Sequence, residues 1–175
     1  MRIRAAIAAP AAVSAAAAAL LLTAPQSQAA AGHERTVRCT ERALTVQAKA
    51  VTGHPAVLRV SVTNHTARAC LVDRVPTVTF GDLDGAALPL PEGGTGDHRL
   101  AAGGTAYAAV RTIADPADPQ ARRADSVTVA ASAAHWGRSF GPGRLGTGRQ
   151  VLVWEPVTTW WQPTARAADR IIGLD

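Results

Sequence analysis

"VLRVSVTN", residues 57–64, alternates without a break: Leu58, Val60 and Val62 on one side, Arg59, Ser61 and Thr63 on the other. Apolar–polar period two over this length is the mark of a strand with one face buried and one face wet. The preceding "RALTVQAKAV" (residues 42–51) repeats the pattern, with Leu44, Val46 and Ala48 opposite Thr45, Gln47 and Lys49. "VTGHPA" between them carries the Gly and Pro of a turn. Two such runs joined so closely predict a pair of neighbouring strands.

Beyond Asn64 come "RVPTVTF", with Pro76 suited to a strand start or edge, and "GDLDGAALPL", where Asp84-Gly85 predicts a hairpin turn. "EGGTGDH" is an open loop, and Gly103-Gly104 turns the chain into a strand around Tyr107, Ala109 and Arg111. "ADPADPQARRAD" is a polar connection, "SVTVAAS" and "RQVLVWEPVTTWW" are two further strands, and "TARAADRIIGLD" suits a short helix. Residues 131–147, "ASAAHWGRSFGPGRLGT", are Gly-rich and aperiodic, and are expected as a loop. About seven short strands with turn signals between them predict an all-β sandwich.

The start of the chain has a different character. Arg2 and Arg4 precede an uncharged Ala/Leu stretch from Ala5 to Leu22, and Ser27-Gln28-Ala29 supplies small residues for cleavage. This is the layout of an export signal at residues 1–30. A retained membrane anchor is the competing reading, but the stretch is mostly alanine and holds Pro10. No cysteine follows the signal closely enough for a lipid anchor, and the split arginines do not make a twin-arginine signal. Removal of residues 1–30 from the 175 leaves residues 31–175, one domain's worth of chain.

Export decides how the two cysteines are read. In an oxidising compartment Cys39 and Cys70 are expected to form one disulfide, with two free thiols as the alternative. Closing a loop of that size stabilises by ~3.5–4 kcal/mol on a chain-entropy argument. It should fasten the first strand pair. No metal site is expected, since Cys-x-x-Cys is absent and the histidines show no ligand spacing.

These residues together resemble a known family. Cys39 and Leu44, the strand running into Asn64 and Cys70, then Pro76, Asp84-Gly85, Leu100, Gly103 and Tyr107 fit the order of motifs in the domain of unknown function 4232 family of secreted and cell-envelope actinobacterial proteins. Asp73-Arg74-Val75-Pro76 stands in place of that family's Gly-Tyr-Pro, Ala102 in place of a proline, and a later cysteine pair is missing. The resemblance spans residues 39–155. It implies an immunoglobulin-like antiparallel β-sandwich with no assigned activity and no catalytic residues.

Chemical motifs are few. "GPGRLG" (residues 141–146) has the letters of a dinucleotide fingerprint without the expected helix after it, and Asp82 and Asp84 lack the spacing of a calcium loop. The histidines His33, His54, His65, His98 and His135 are scattered, with no nucleophile elbow. Asn64-His65-Thr66 is a formal glycosylation sequon, but Asn64 is better read as turn-forming. The formal net charge of +5 comes from dispersed residues, not a basic patch, which argues against nucleic acid.

Trp136, Trp154, Trp160 and Trp161 are four of seven aromatics, all in the last forty residues. Adjacent Trp160 and Trp161 should point to opposite faces, one into the core and one outward. Trp136, Trp160, Trp161 and Arg138 are therefore the expected binding surface, with cell-wall polysaccharide or an envelope protein as partner. All four tryptophans filling an alanine-rich core is the competing reading. The expected function is a secreted non-catalytic binding module without cofactor, metal or catalytic residues; a secreted hydrolase or a purely structural envelope component is the alternative.

Overall fold

The computed structural model describes residues 36–174, so the export signal expected at residues 1–30 lies outside the described residues. In chain order the strands are β1 (Leu44–Val51), β2 (His54–Asn64), β3 (Cys70–Asp73), β4 (Thr77–Phe80), β5 (Leu83–Ala86), β6 (Leu88–Leu90), β7 (Asp97–Leu100), β8 (Thr105–Arg111), β9 (Arg122–Ala124), β10 (Val127–Ala130), β11 (Arg138–Phe140), β12 (Val151–Val153) and β13 (Val157–Thr159). Two helices, α1 (Pro142–Leu145) and α2 (Ala165–Ile171), and a 3₁₀ turn at Glu41–Ala43 complete them. The strands form a five-stranded sheet ordered β1-β2-β8-β13-β6, a four-stranded sheet ordered β11-β10-β4-β5, and the pairs β12-β9 and β3-β7.

The alternation read at residues 57–64 governs the larger sheet. β1 and β2 pair antiparallel from Leu44 opposite Asn64 to Ala50 opposite Leu58, and β2 pairs β8 from Val57 opposite Arg111 to Thr63 opposite Thr105. Leu58, Val60 and Val62 are buried, with Ala106, Ala108 and Val110 beside them on the same face. That face and the inner face of the four-stranded sheet, with Val78, Phe80, Val127, Val129 and Phe140, share one hydrophobic cluster. The opposite face is covered locally by α2, where Ala168 and Ile172 meet Val57 and Ala109. Thr164 caps that helix: its side chain accepts the Ala167 N–H at 3.1 Å.

Asn64 closes the first hairpin's far end. It is fully buried, donates Nδ2–H to the carbonyls of Arg68 (2.8 Å) and Ala101 (3.0 Å), and accepts at Oδ1 from the Thr66 N–H and hydroxyl. The turn-forming role is therefore fully occupied by its own hydrogen bonds.

Cys39 and Cys70 form the disulfide. Its structural task differs from the expected one. Cys39 N–H donates to Leu71 O at 2.8 Å and Leu71 N–H to Val37 O at 2.9 Å, so the bond fastens the segment before β1 to β3. The β1–β2 pair needs no such clamp because a short turn at Thr52-Gly53 already joins it.

Several strand expectations change in detail. Among the described residues the expected seven or so strands become thirteen short ones: two of the expected runs each split in two, and β3, β7, β9 and β11 form where turns or loops were expected. "RQVLVWEPVTTWW" is two strands: Glu155 adopts φ 46° before Pro156 and ends β12. The hairpin after β4 turns at Gly81-Asp82, with Phe80 opposite Leu83; Asp84-Gly85 instead lies within β5, where the register shifts before Ala86 pairs with Thr79. Gly81 at φ 51° supplies the backbone that a two-residue loop needs at its first position. The polar connection holds β9, and the end of the open loop holds β7. Residues 131–147 contain β11 and α1, elements too short to leave a periodic signal. β6 runs parallel to β13, an exception to an antiparallel plan.

Candidate functional site

Trp136 stands on the loop between β10 and β11, and 93% of it is exposed. The loop beneath it is held at each step. Ser132 Oγ accepts the Asp73 N–H at 2.9 Å, and Asp73 Oδ2 accepts the Ala133 N–H at 2.7 Å. The His135 imidazole donates from Nε2 to Cys39 O at 3.1 Å. The Glu41 carboxylate then accepts two consecutive backbone N–H groups, from Trp136 at 3.2 Å and Gly137 at 2.6 Å. Charge-assisted bonds of this kind are the stronger class.

Gly137 fits where a side chain would not. Its φ is 78°, and a Cβ there would stand 2.7 Å from Val129 O, inside any permitted contact. The β10–β11 hairpin thus closes tightly under the ring. A loop whose backbone is fixed before binding loses little backbone freedom on docking.

Arg138 begins β11 beside Trp136. Its guanidinium lies 5.5 Å from the Phe140 ring centroid and that of Arg144 lies 5.8 Å from the same ring. The Arg138 Nη1 also reaches Val46 O at 3.5 Å. Of the expected binding residues, Trp136 and Arg138 share this hairpin, with the Arg138 guanidinium directed to Phe140 and the Val46 carbonyl.

The other two lie in a different setting. Trp161 is buried in the main core and its backbone N–H donates to Arg74 O at 3.0 Å. It therefore drops out of the expected surface. Trp160, half-buried, donates its indole N–H to Pro91 O at 3.1 Å and carries the Arg74 guanidinium over its ring at 5.2 Å. The pair does point to opposite sides, as alternation requires, but the outward ring is already occupied. Trp154 is half-buried, and its backbone N–H donates to Thr112 O.

The histidines occupy separate environments. His54 is exposed at the start of β2, and His65 shares a hydrogen bond with Thr45 Oγ1 at 2.7 Å. His98 sits half-buried on β7; burial first, and the Arg74 charge second, push its pKa below the usual imidazole value. His33 lies outside the described residues. Among the described residues no group of three or more His, Cys, Asp or Glu side chains is placed to hold a metal ion. "GPGRLG" forms a four-residue helix with Gly146 at its C-cap, at φ 82°.

Two features had no local signal in the sequence. The Arg59 side chain grips the buried Asp169 carboxylate, with Nε at 3.1 and 2.9 Å from its two oxygens, across 110 residues of chain. That bond raises the Arg59 pKa further and pins α2 to β2. Glu41, the clamp under Trp136, lies 95 residues from it in sequence.

A family model described as a domain of unknown function (DUF4232) matches residues 39–161. The chain belongs to this family. The match begins at the disulfide's first cysteine and ends at the buried Trp161, so it takes in every strand described above. No curated protein and no solved structure matches the chain.

Proposed function

We propose that this family member is an exported, non-catalytic binding module of the cell envelope or extracellular space. Residues 31–175 act as one immunoglobulin-like β-sandwich after removal of the signal at residues 1–30. The two larger sheets contributing to one hydrophobic cluster support the sandwich. The disulfide, and the lack among the described residues of any helix long and apolar enough to cross a membrane, agree with a place outside the cell.

The observation that carries the binding role is Trp136, almost wholly exposed on a loop clamped by Glu41. A large apolar ring left in water on a tethered backbone has no packing role in the isolated chain. It suits the face of a sugar or a pocket on an envelope protein. Arg138, next but one, adds hydrogen-bond donors beside it.

The test uses the full exported chain with purified cell-wall polysaccharide and with isolated envelope fraction. Trp136→Ala should abolish retention on whichever of the two holds the wild type, without moving the thermal midpoint. Retention unchanged in a folded Trp136→Ala protein would remove the proposal. Mass spectrometry of the exported chain tests the signal: a mature start near residue 31 is expected.

A further inference from the structure

Strand β1 is one edge of the five-stranded sheet, and β11 and α1 pack against it. At this junction lies an open groove of about 450 Å³. Lys49, Arg59, Arg138 and Arg144 line it, and no Asp or Glu does. Arg59 is neutralised by Asp169 behind it. Among the described residues, Lys49, Arg138 and Arg144 make no ion pair. Three cations with no acidic partner therefore share one concavity, in a chain whose basic residues otherwise lie scattered.

We infer that this groove is a binding site for an anionic carbohydrate, a phosphate or carboxylate carried on a hydroxyl-rich scaffold. The volume falls in the range of small-ligand sites. The guanidiniums of Arg138 and Arg144 are preset by their stacking on Phe140, so their planar forks are ordered before an oxyanion arrives. Ser61 and Tyr107 on the same wall offer hydroxyls that match polyol hydroxyls.

Two other polyanions fit less well. Single-stranded nucleic acid requires exposed rings on which successive bases stack, but of the two rings lining the groove Phe140 is buried under the two arginines and Tyr107 is half-buried. An acidic peptide would add to the edge of β1, yet β11 and α1 already pack against it and Arg138 takes the Val46 carbonyl. The inference rests on the reading of the chain as a binding module but uses residues other than Trp136.

The test is calorimetric titration of the full exported chain, at physiological ionic strength, with poly(glycerol phosphate), oligogalacturonate, neutral dextran and a single-stranded DNA oligonucleotide. Binding of either of the first two supports the site and says whether phosphate or carboxylate is the anion; dextran should not bind. Lys49→Gln and Arg144→Gln should each weaken binding on the order of tenfold, the loss of one charge-assisted contact. Lys49 is exposed on the sheet and has no core role, so its variant reads binding even if Arg144→Gln melts early. Arg122→Gln/Arg123→Gln, which removes charge from exposed β9, should leave affinity unchanged. The site is refuted if neither anionic polymer binds, if the β9 variant loses as much affinity, or if DNA binds as tightly through Lys49 and Arg144. If Trp136→Ala loses envelope retention while Lys49→Gln and Arg144→Gln keep full affinity for the polymers, the groove fails and the binding module stands.

Discussion

The loop carrying Trp136 and the corner carrying Trp160 and Trp161 use the same residue type to opposite ends. At the corner, Trp161 fills the core and Trp160 is held by Pro91 and Arg74. At the loop, every tether is made by backbone and by neighbouring side chains, and the indole itself is left in water. Where the ring does the holding it is unavailable to a partner. Where the backbone does the holding, the ring is free to bind.

The sharpest way to break this comparison is Trp161→Ala. Loss of a buried indole should cost ~3–5 kcal/mol, read as a fall in the urea midpoint; a cost under ~1 kcal/mol would mean the corner is not core. Next comes the link that joins the loop's base to β3. Cys39→Ala/Cys70→Ala should lose up to ~3.5–4 kcal/mol by the same measurement. Because Cys39 O receives His135, the loss should also loosen the Trp136 loop.

Glu41→Ala is directed at the loop alone. Removing the acceptor of two N–H groups should cost ~1–3 kcal/mol and raise hydrogen exchange at Trp136 and Gly137. Unchanged exchange there would show that the clamp does not hold the ring's position.

A smaller effect separates the two regions by pH. The folded state depresses the His98 pKa through burial and then through Arg74, the cation over Trp160. The unfolded chain therefore takes up this proton at higher pH than the folded one. The associated stability is complete above the ordinary imidazole value of ~6.5 and is lost as pH falls through the lowered folded value. Urea midpoints measured across that window should slope downward toward acid in the wild type and less so in His98→Gln. Equal slopes would exclude His98 as the source. The smallest change should come from Trp136→Ala, within about 0.5 kcal/mol in stability, despite its large expected effect on binding.

How much of this was written in the sequence depends on the range of each interaction. The alternation at residues 44–51 and 57–64 placed Leu58, Val60 and Val62 inward, since side chains on a strand must alternate whatever lies around them. The same rule divided Trp160 from Trp161, though not which was which. Short elements fared worse. β9, β11 and α1 are three or four residues long, too brief for any period to show, and the Asp84-Gly85 signal was drawn into β5 while Gly81-Asp82 made the turn.

The sequence by itself determined a β-rich chain, its main hairpin and its single pair of cysteines, because covalent chemistry and two-residue periodicity act locally. The tertiary structure alone decided that Glu41 would meet the Trp136 loop, that Arg59 would meet Asp169, and that Lys49, Arg138 and Arg144 would face one groove. Those contacts join residues far apart in the chain. Their partners are chosen by how the sheets pack, and no local pattern encodes that choice.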